Sequence, residues 1–259
     1  FFQFFFQSTE AQWLKDKYEN WKERRAERIA VTDRYQITGP VASWTHVQDQ
    51  GMSSLTYSGP GGGGFWTSYK QKPGWTELGS LWFRYNMLGG PAEALKGNIT
   101  NPAAGFESVF LRKLADPRWH LGGSLTVFYQ ARFYEKLEND ASNHDFISSL
   151  AIDLLFEQPF SWREREGWLT GRMQVPLFSY IFRIPDYNIG GINHLWAPPW
   201  QFQKLGMETS FVRKMKYSNE NKWSIGYAWD FYHLNEKEKG HNLYYGVHSL
   251  KLGFWLKDR

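Results

Sequence analysis

Between Trp119 and Tyr134 the chain changes character at every step, and no other feature constrains its fold as strongly. The odd positions read Trp119, Leu121, Gly123, Leu125, Val127, Tyr129, Ala131 and Phe133. The even positions read His120, Gly122, Ser124, Thr126, Phe128, Gln130, Arg132 and Tyr134. Successive side chains of a strand point to opposite faces, so this pattern specifies a strand with one apolar face and one mostly polar face. The run exceeds the roughly five or six residues usual in a globular sheet. It is long enough to cross a bilayer at a tilt and protrude.

The same reading recurs along the chain. Phe146, Leu150, Ile152, Leu154 and Phe156 oppose Ser149, Asp153 and Glu157, and Leu169, Met173, Val175, Leu177 and Ile181 oppose Thr170, Arg172 and Gln174. Pro176 falls inside that second run and predicts a bulge or a strand end there. Leu205, Met207 and Phe211 oppose Glu208, Ser210 and Lys214, while Trp223, Ile225, Tyr227, Trp229 and Phe231 oppose Ser224, Gly226, Ala228 and Asp230. The last strand sets Leu250, Leu252, Phe254 and Leu256 against Ser249, Lys251 and Gly253. Upstream, Leu81, Phe83, Tyr85 and Met87 oppose Trp82, Arg84 and Asn86, and Tyr35 to Val47 and Phe106 to Leu114 read as further strands. Met52 to Tyr57 and Phe65 to Lys70 flank Gly61 to Gly64 and read as one strand interrupted at the glycines, which mark a bulge or a close backbone approach.

Composition agrees with strands that face lipid. Aromatic residues make up 19% of the chain, yet mean hydropathy is −0.56. A membrane barrel uses aromatics in its outward band and its interfacial girdles while keeping a polar lumen, which reconciles the two values. No window approaches the run of about 20 apolar residues that a spanning helix needs, so a helical membrane protein is excluded. Closed barrels are the other structure that satisfies its backbone in lipid. The absence of cysteine rules out disulfides, a thiolate metal site and a lipoprotein anchor on this sequence. A net charge of +4 without a basic stripe or recognition motif argues against nucleic-acid binding.

Over residues 35 to 256 the chain resembles bacterial outer-membrane β-barrel proteins as an architectural class, with no motif match to one family. The resemblance implies a bacterial outer-membrane location and an all-β transmembrane antiparallel barrel of about ten strands, with eight to twelve open. It also implies a C-terminal strand ending in the periplasm. Counting back from there, Tyr217 to Asn221, Pro159 to Gly167 and Ala115 to Arg118 become periplasmic turns. His233 to Asn242, Arg183 to Gln203, Glu135 to Asn143 and Gly89 to Gly105 become outer loops. The longest connections fall outside, as this architecture requires. One departure is the C-terminus, where Phe254-Trp255 lies just inside the end and the final residue is Arg259.

The chain divides into an N-terminal segment, 1–34, on the periplasmic side and a barrel, 35–259. Thr9 to Ile29 reads as an amphipathic helix, with Trp13, Tyr18, Trp21 and Ile29 near one stripe and charged residues elsewhere. It fits a solvated helix at the barrel mouth, a docking or interfacial helix, or a luminal plug. The opening Phe1 to Phe6 is either the remnant of a signal-peptide apolar region or the start of the mature chain.

Parity places Arg84, Arg132, Asp153, Glu157, Arg172, Glu208 and Asp230 in the lumen. Eight strands are just filled by their own side chains, so roughly ten leave a narrow interior. These residues therefore read as a network of paired charges ahead of a selective pore lining. His120 faces the lumen and His248 faces lipid; His248 and Ser249 point to opposite faces and make no catalytic pair. His144-Asp145 reads as solvated residues at a loop edge. The segment Ser58 to Gly64 lacks the Lys and Ser or Thr of a phosphate loop, and neither a metal constellation nor a cofactor motif is visible. Trp13, Tyr18, Trp21, Trp196 and Trp200 are candidate partner contacts.

The first functional reading is a non-enzymatic barrel, either a structural or accessory subunit of an outer-membrane assembly or a narrow, porin-like solute channel. Its expected partners are outer-membrane lipids and other outer-membrane or periplasmic proteins. The alternative is a lipid-modifying enzyme, an acyl hydrolase or acyltransferase, though no Ser and His pair on one face is evident. A soluble lipocalin-like barrel or sandwich that binds an apolar ligand is a third.

Overall fold

The computed structural model describes residues 17–19, 32–50, 55–90, 98–134, 142–162, 165–185, 193–216, 220–236 and 241–258. Residues 17–19 are helical; the remainder of the predicted helix, with Trp13 and Trp21, lies outside the described residues. The strands are β1 (Asp33–Asp49), β2 (Thr56–Lys72), β3 (Trp75–Gly89), β4 (Asn98–Lys113), β5 (Trp119–Tyr134), β6 (Ser142–Trp162), β7 (Arg165–Pro185), β8 (Asn193–Ala197), β9 (Phe202–Lys214), β10 (Lys222–Glu236) and β11 (His241–Lys257).

Among the described residues, ten of these close into one antiparallel ring: each strand pairs with its neighbour from β1 to β7, β7 pairs with β9, then β10, and β11 returns to β1. Closure leaves no edge to be satisfied by water, which is what permits a sheet to sit in hydrocarbon. The ends of β1 and β11 meet at one rim, where Lys257 pairs with Asp33. On that rim the connections are short. Pro73 and Gly74 alone join β2 to β3, with Gly74 at φ 80°, which suits glycine in a Pro-Gly turn. At the β4–β5 turn, Asp116 accepts from the Arg118 backbone N–H at 3.0 Å and from its guanidinium at 2.6 Å. Hydrogen bonds from the Arg118 side chain draw the Asp116 carboxyl down to about 2. Short turns mark the periplasmic side of this architecture; the seven residues 215–221 are the longest connection on this rim, while the longest of all, the one that carries β8, lies at the opposite rim.

The alternation in the sequence becomes two surfaces. Leu81, Phe83, Leu125, Leu150, Ile152, Leu177, Ile225 and Leu250 are large apolar side chains left exposed around the outside. Contiguous exposure on this scale marks a membrane-facing belt. Trp119 stands near the lower edge of the belt on β5 and Tyr129 near the upper. Ten residues separate them, roughly 33 Å along a strand, or about 25 Å of bilayer at the usual tilt.

Three local readings of the sequence are revised. β2 is continuous through Gly61 to Gly64 and fully paired with β1. Glycine is needed there for close approach: a Cβ at Gly61 would lie 2.0 Å from Asn86 Oδ1, and one at Gly63 would lie 2.0 Å from the Phe83 carbonyl oxygen. Near Pro176, Leu150 pairs with Phe178 while Ala151 pairs with Pro176, so Leu177 is the extra residue of a bulge. The bulge reverses parity beyond it, which is why Ile181, predicted outward, is buried in the lumen with Ser179 and Arg183. Finally, the predicted outer loop Arg183 to Gln203 contains strand β8, paired with the upper part of β7 from Ser179 to Arg183. A turn at residues 198–201 separates β8 from β9.

Candidate functional site

The interior is filled in layers. Its outer half holds an apolar cluster that includes Val47, Leu88, Ile99, Tyr134, Ile147, Ile181, Phe202, Leu234 and Leu243. Four charged side chains from four strands knot together with it. Arg132, without solvent exposure, lies 3.1 Å from Asp49 and 2.7 Å from Asp145. Arg183 contacts the same two carboxylates, reaching Asp145 at 3.3 Å. Asn143 donates to Asp49 at 3.0 Å and Gln130 to Asp145 at 3.0 Å, with Tyr232 closing against Gln130. Two cations facing two carboxylates offset the cost of burying charge here, although the Arg132 guanidinium nitrogens and Asp145 Oδ1 lie outside hydrogen-bonding geometry.

Below the knot lies a cavity of about 250 Å³ lined by charged residues and by Phe65, Trp82 and Phe128. Arg172 grips Glu107 through two parallel bonds of 2.8 and 2.7 Å and reaches Asp153 at 2.6 Å. Gln174 donates to Glu107, Ser124 and Thr126. Lys251 pairs with Glu208 at 2.7 Å, and Arg84 lies 3.6 Å from Asp230 while stacking over Trp82. Toward the periplasmic rim, His120 sits 3.2 Å from Thr76 and 3.3 Å from Glu157.

The seven predicted luminal charges therefore all line the interior but do not meet as one network. Arg172 and Asp153 pair directly, as do Arg84 and Asp230. Arg132, Glu157 and Glu208 each belong to a separate cluster. Their partners Asp49, Glu107, Asp145, Arg183 and Lys251 escaped sequence reading. Asp145 was readable by parity but looked like a loop edge, and the bulge concealed Arg183. Of the predicted partner contacts, Trp196 lies on the outward face of β8, where it stacks on Phe178 at 5.2 Å. Trp200 is exposed in the turn before β9, and Tyr18 is exposed in the short helix.

The outward face carries a feature that sequence reading missed. Among the described residues, three hydrogen-bonded Tyr–His pairs bridge neighbouring strands on this face: Tyr129 with His144 and Tyr180 with His194, each at 2.6 Å, and Tyr227 with His248 at 2.5 Å. Each joins the tyrosine oxygen to His Nδ1. Only strand pairing could reveal them, because the partners lie on different strands. Among the described residues, no group of His, Asp and Glu is arranged to hold a metal ion.

A closed antiparallel ring with an apolar belt outside, aromatic residues at its margins and buried charged and polar side chains inside is an outer-membrane β-barrel. The location that follows is the bacterial outer membrane. No protein-family model matches the sequence, and no curated relative matches it. Solved structures of similar fold include the outer-membrane protease OmpT of Escherichia coli, at 8% identity and TM-score 0.49 over 88% of this chain and 96% of that one. The translocator domain of the autotransporter NalP of Neisseria meningitidis is 10% identical, with TM-score 0.49 over 94% and 98%. The Pseudomonas putida toluene transporter TodX is 8% identical, with TM-score 0.26 over 88% and 90%. At such identities and TM-scores these likenesses say nothing about what the chain does.

Proposed function

We propose that the protein is a non-conducting barrel whose interior is structural and whose work is done at its surface, as an accessory subunit of an outer-membrane assembly. The observation that supports this reading is the Arg132–Asp49–Asp145–Arg183 knot, set within an apolar layer that fills the outer half of the lumen. An ion crossing there has to part buried pairs or shed its water among apolar side chains, and either is costly. The exposed Trp196 and Trp200 add large aromatic surface of the kind that anchors partners. The test is planar-bilayer recording on the purified full chain. A silent membrane after verified insertion is expected, whereas steady conductance steps overturn the sealed-lumen reading in favour of a narrow solute channel. Purification in mild detergent tests the accessory role: stoichiometric companions are expected, and they should be lost when Trp196 and Trp200 are both changed to Ala.

A further inference from the structure

On the outward face of the β5–β6 seam, three side chains stand in the arrangement of nucleophile, base and orienting group. Ser142 and His144 are two apart on β6 and so share the lipid-side face. Ser142 Oγ lies 3.2 Å from His144 Nε2. Across the seam, the Tyr129 hydroxyl lies 2.6 Å from His144 Nδ1. The imidazole is stacked on the Tyr129 ring at 24° and held edge-on by Phe133 at 5.7 Å between centroids. Both ring nitrogens face hydroxyls that can donate or accept, so these contacts admit the tautomer catalysis requires, with Nδ1–H donating to the tyrosine oxygen and the Nε2 lone pair left to accept the serine proton. Nucleophilic catalysis by serine needs that chain of contacts, and it is recognised by geometry, not by residue order.

The other two Tyr–His pairs supply an internal comparison. They show that a tyrosine on Nδ1 belongs to the packing of this outward face and by itself implies no chemistry. Among the described residues, His144 alone of the three also has a serine hydroxyl on its second nitrogen. Position adds to the case. Tyr129 stands at the upper margin of the apolar belt, with His144 and Ser142, in register with Ala131 and Phe133, just above it on the headgroup side, and Leu125 and Leu150, paired across the same seam, continue an apolar track toward the bilayer centre.

We propose that Ser142, His144 and Tyr129 form an esterase site that hydrolyses an ester-linked acyl chain of a membrane lipid. Ser142 Oγ attacks the ester carbonyl carbon and its proton passes to His144 Nε2. The tetrahedral intermediate collapses, the bond to the lipid alcohol breaks, and the departing oxygen takes that proton from His144. Water then attacks the acyl-serine, giving its proton to Nε2. Collapse of the second intermediate releases the fatty acid, and the proton returns to Ser142 Oγ. Tyr129 is a positioning residue, because it reaches the substrate only through the imidazole.

The test uses the purified full chain in mixed micelles with either diacyl phosphatidylethanolamine or lipid A, so that the two arms identify the lipid that supplies the ester. Fatty acid release is measured for wild type, S142A, H144A, Y129F and the control H194A, each shown to be folded by heat-modifiable gel mobility. Release in at least one arm, lowered about 100-fold or more in S142A and H144A and unchanged in H194A, is expected. Y129F should retain part of the activity with an altered pH–rate profile. A long-chain alkyl fluorophosphonate should form an adduct located on Ser142 by peptide mass spectrometry. Absence of release from both lipids overturns the proposal, as does release that persists in S142A or a label found elsewhere. The site lies outside the lumen, so this result is independent of the conductance measurement.

Discussion

Arg132 shows how much one residue carries in a barrel this narrow. It has no contact with solvent and stands between Asp49 and Asp145. Replacing it with Met leaves two buried carboxylates to share Arg183. Removing one partner of a buried pair typically costs about 3–5 kcal/mol, so R132M should lower the urea midpoint of unfolding by a matching amount while leaving the barrel able to fold. An unchanged midpoint would show that the knot is not buried as described. On the neighbouring pair of positions, L125R puts a cation into lipid near mid-belt at about 2–4 kcal/mol. T126R instead points into the cavity beside Glu107 and should keep native heat-modifiable mobility. Equal damage from both changes contradicts the facing of β5. Facing was legible from the sequence at this scale because the period of two is a property of the backbone. Partners were not, since Asp49 and Arg183 are 134 residues apart and meet only through closure of the ring.

Elements kept their sequence-read identity wherever the ladder is regular and departed from it where backbone geometry intervenes. The Leu177 bulge is the clearest case. Deleting Leu177 should give a regular β6–β7 register while leaving Ile181 and Arg183 inside, so the variant should fold with native mobility. Deleting Ile181 instead turns Arg183 toward lipid and takes it from Asp49 and Asp145, and this variant should fail to assemble. The reverse outcome would place the extra residue elsewhere. Pro176 signalled the irregularity, but no sequence signal fixes which residue is left over. The glycine run misled in the opposite sense, because the absence of side chains serves close packing against Asn86 and Phe83, with no break in the strand. The β4–β5 turn gives a pH-dependent prediction outside the membrane. A carboxyl whose pKa is lowered on folding contributes stability above its ordinary range and loses it as pH falls toward the folded value. The stability difference between wild type and D116N should therefore shrink between about pH 5 and about pH 2. It should be small throughout, because the turn is exposed.

At the scale of the whole molecule, closure and sealing are separate claims, and a chain without cysteine allows both to be tested on one series of single-cysteine variants. Spin labels along β5, from Leu121 to Phe133, are read in bilayers for contact with oxygen, which concentrates in lipid, and with a water-soluble nickel chelate. The structure predicts that oxygen contact rises at Leu121, Leu125, Tyr129 and Phe133 and falls at the even positions between them. It also predicts that Gln130 and Arg132, within the sealed layer, are reached by neither agent. Loss of the alternation would contradict the barrel, and free access of the chelate to position 130 from the outer side would contradict the sealed lumen.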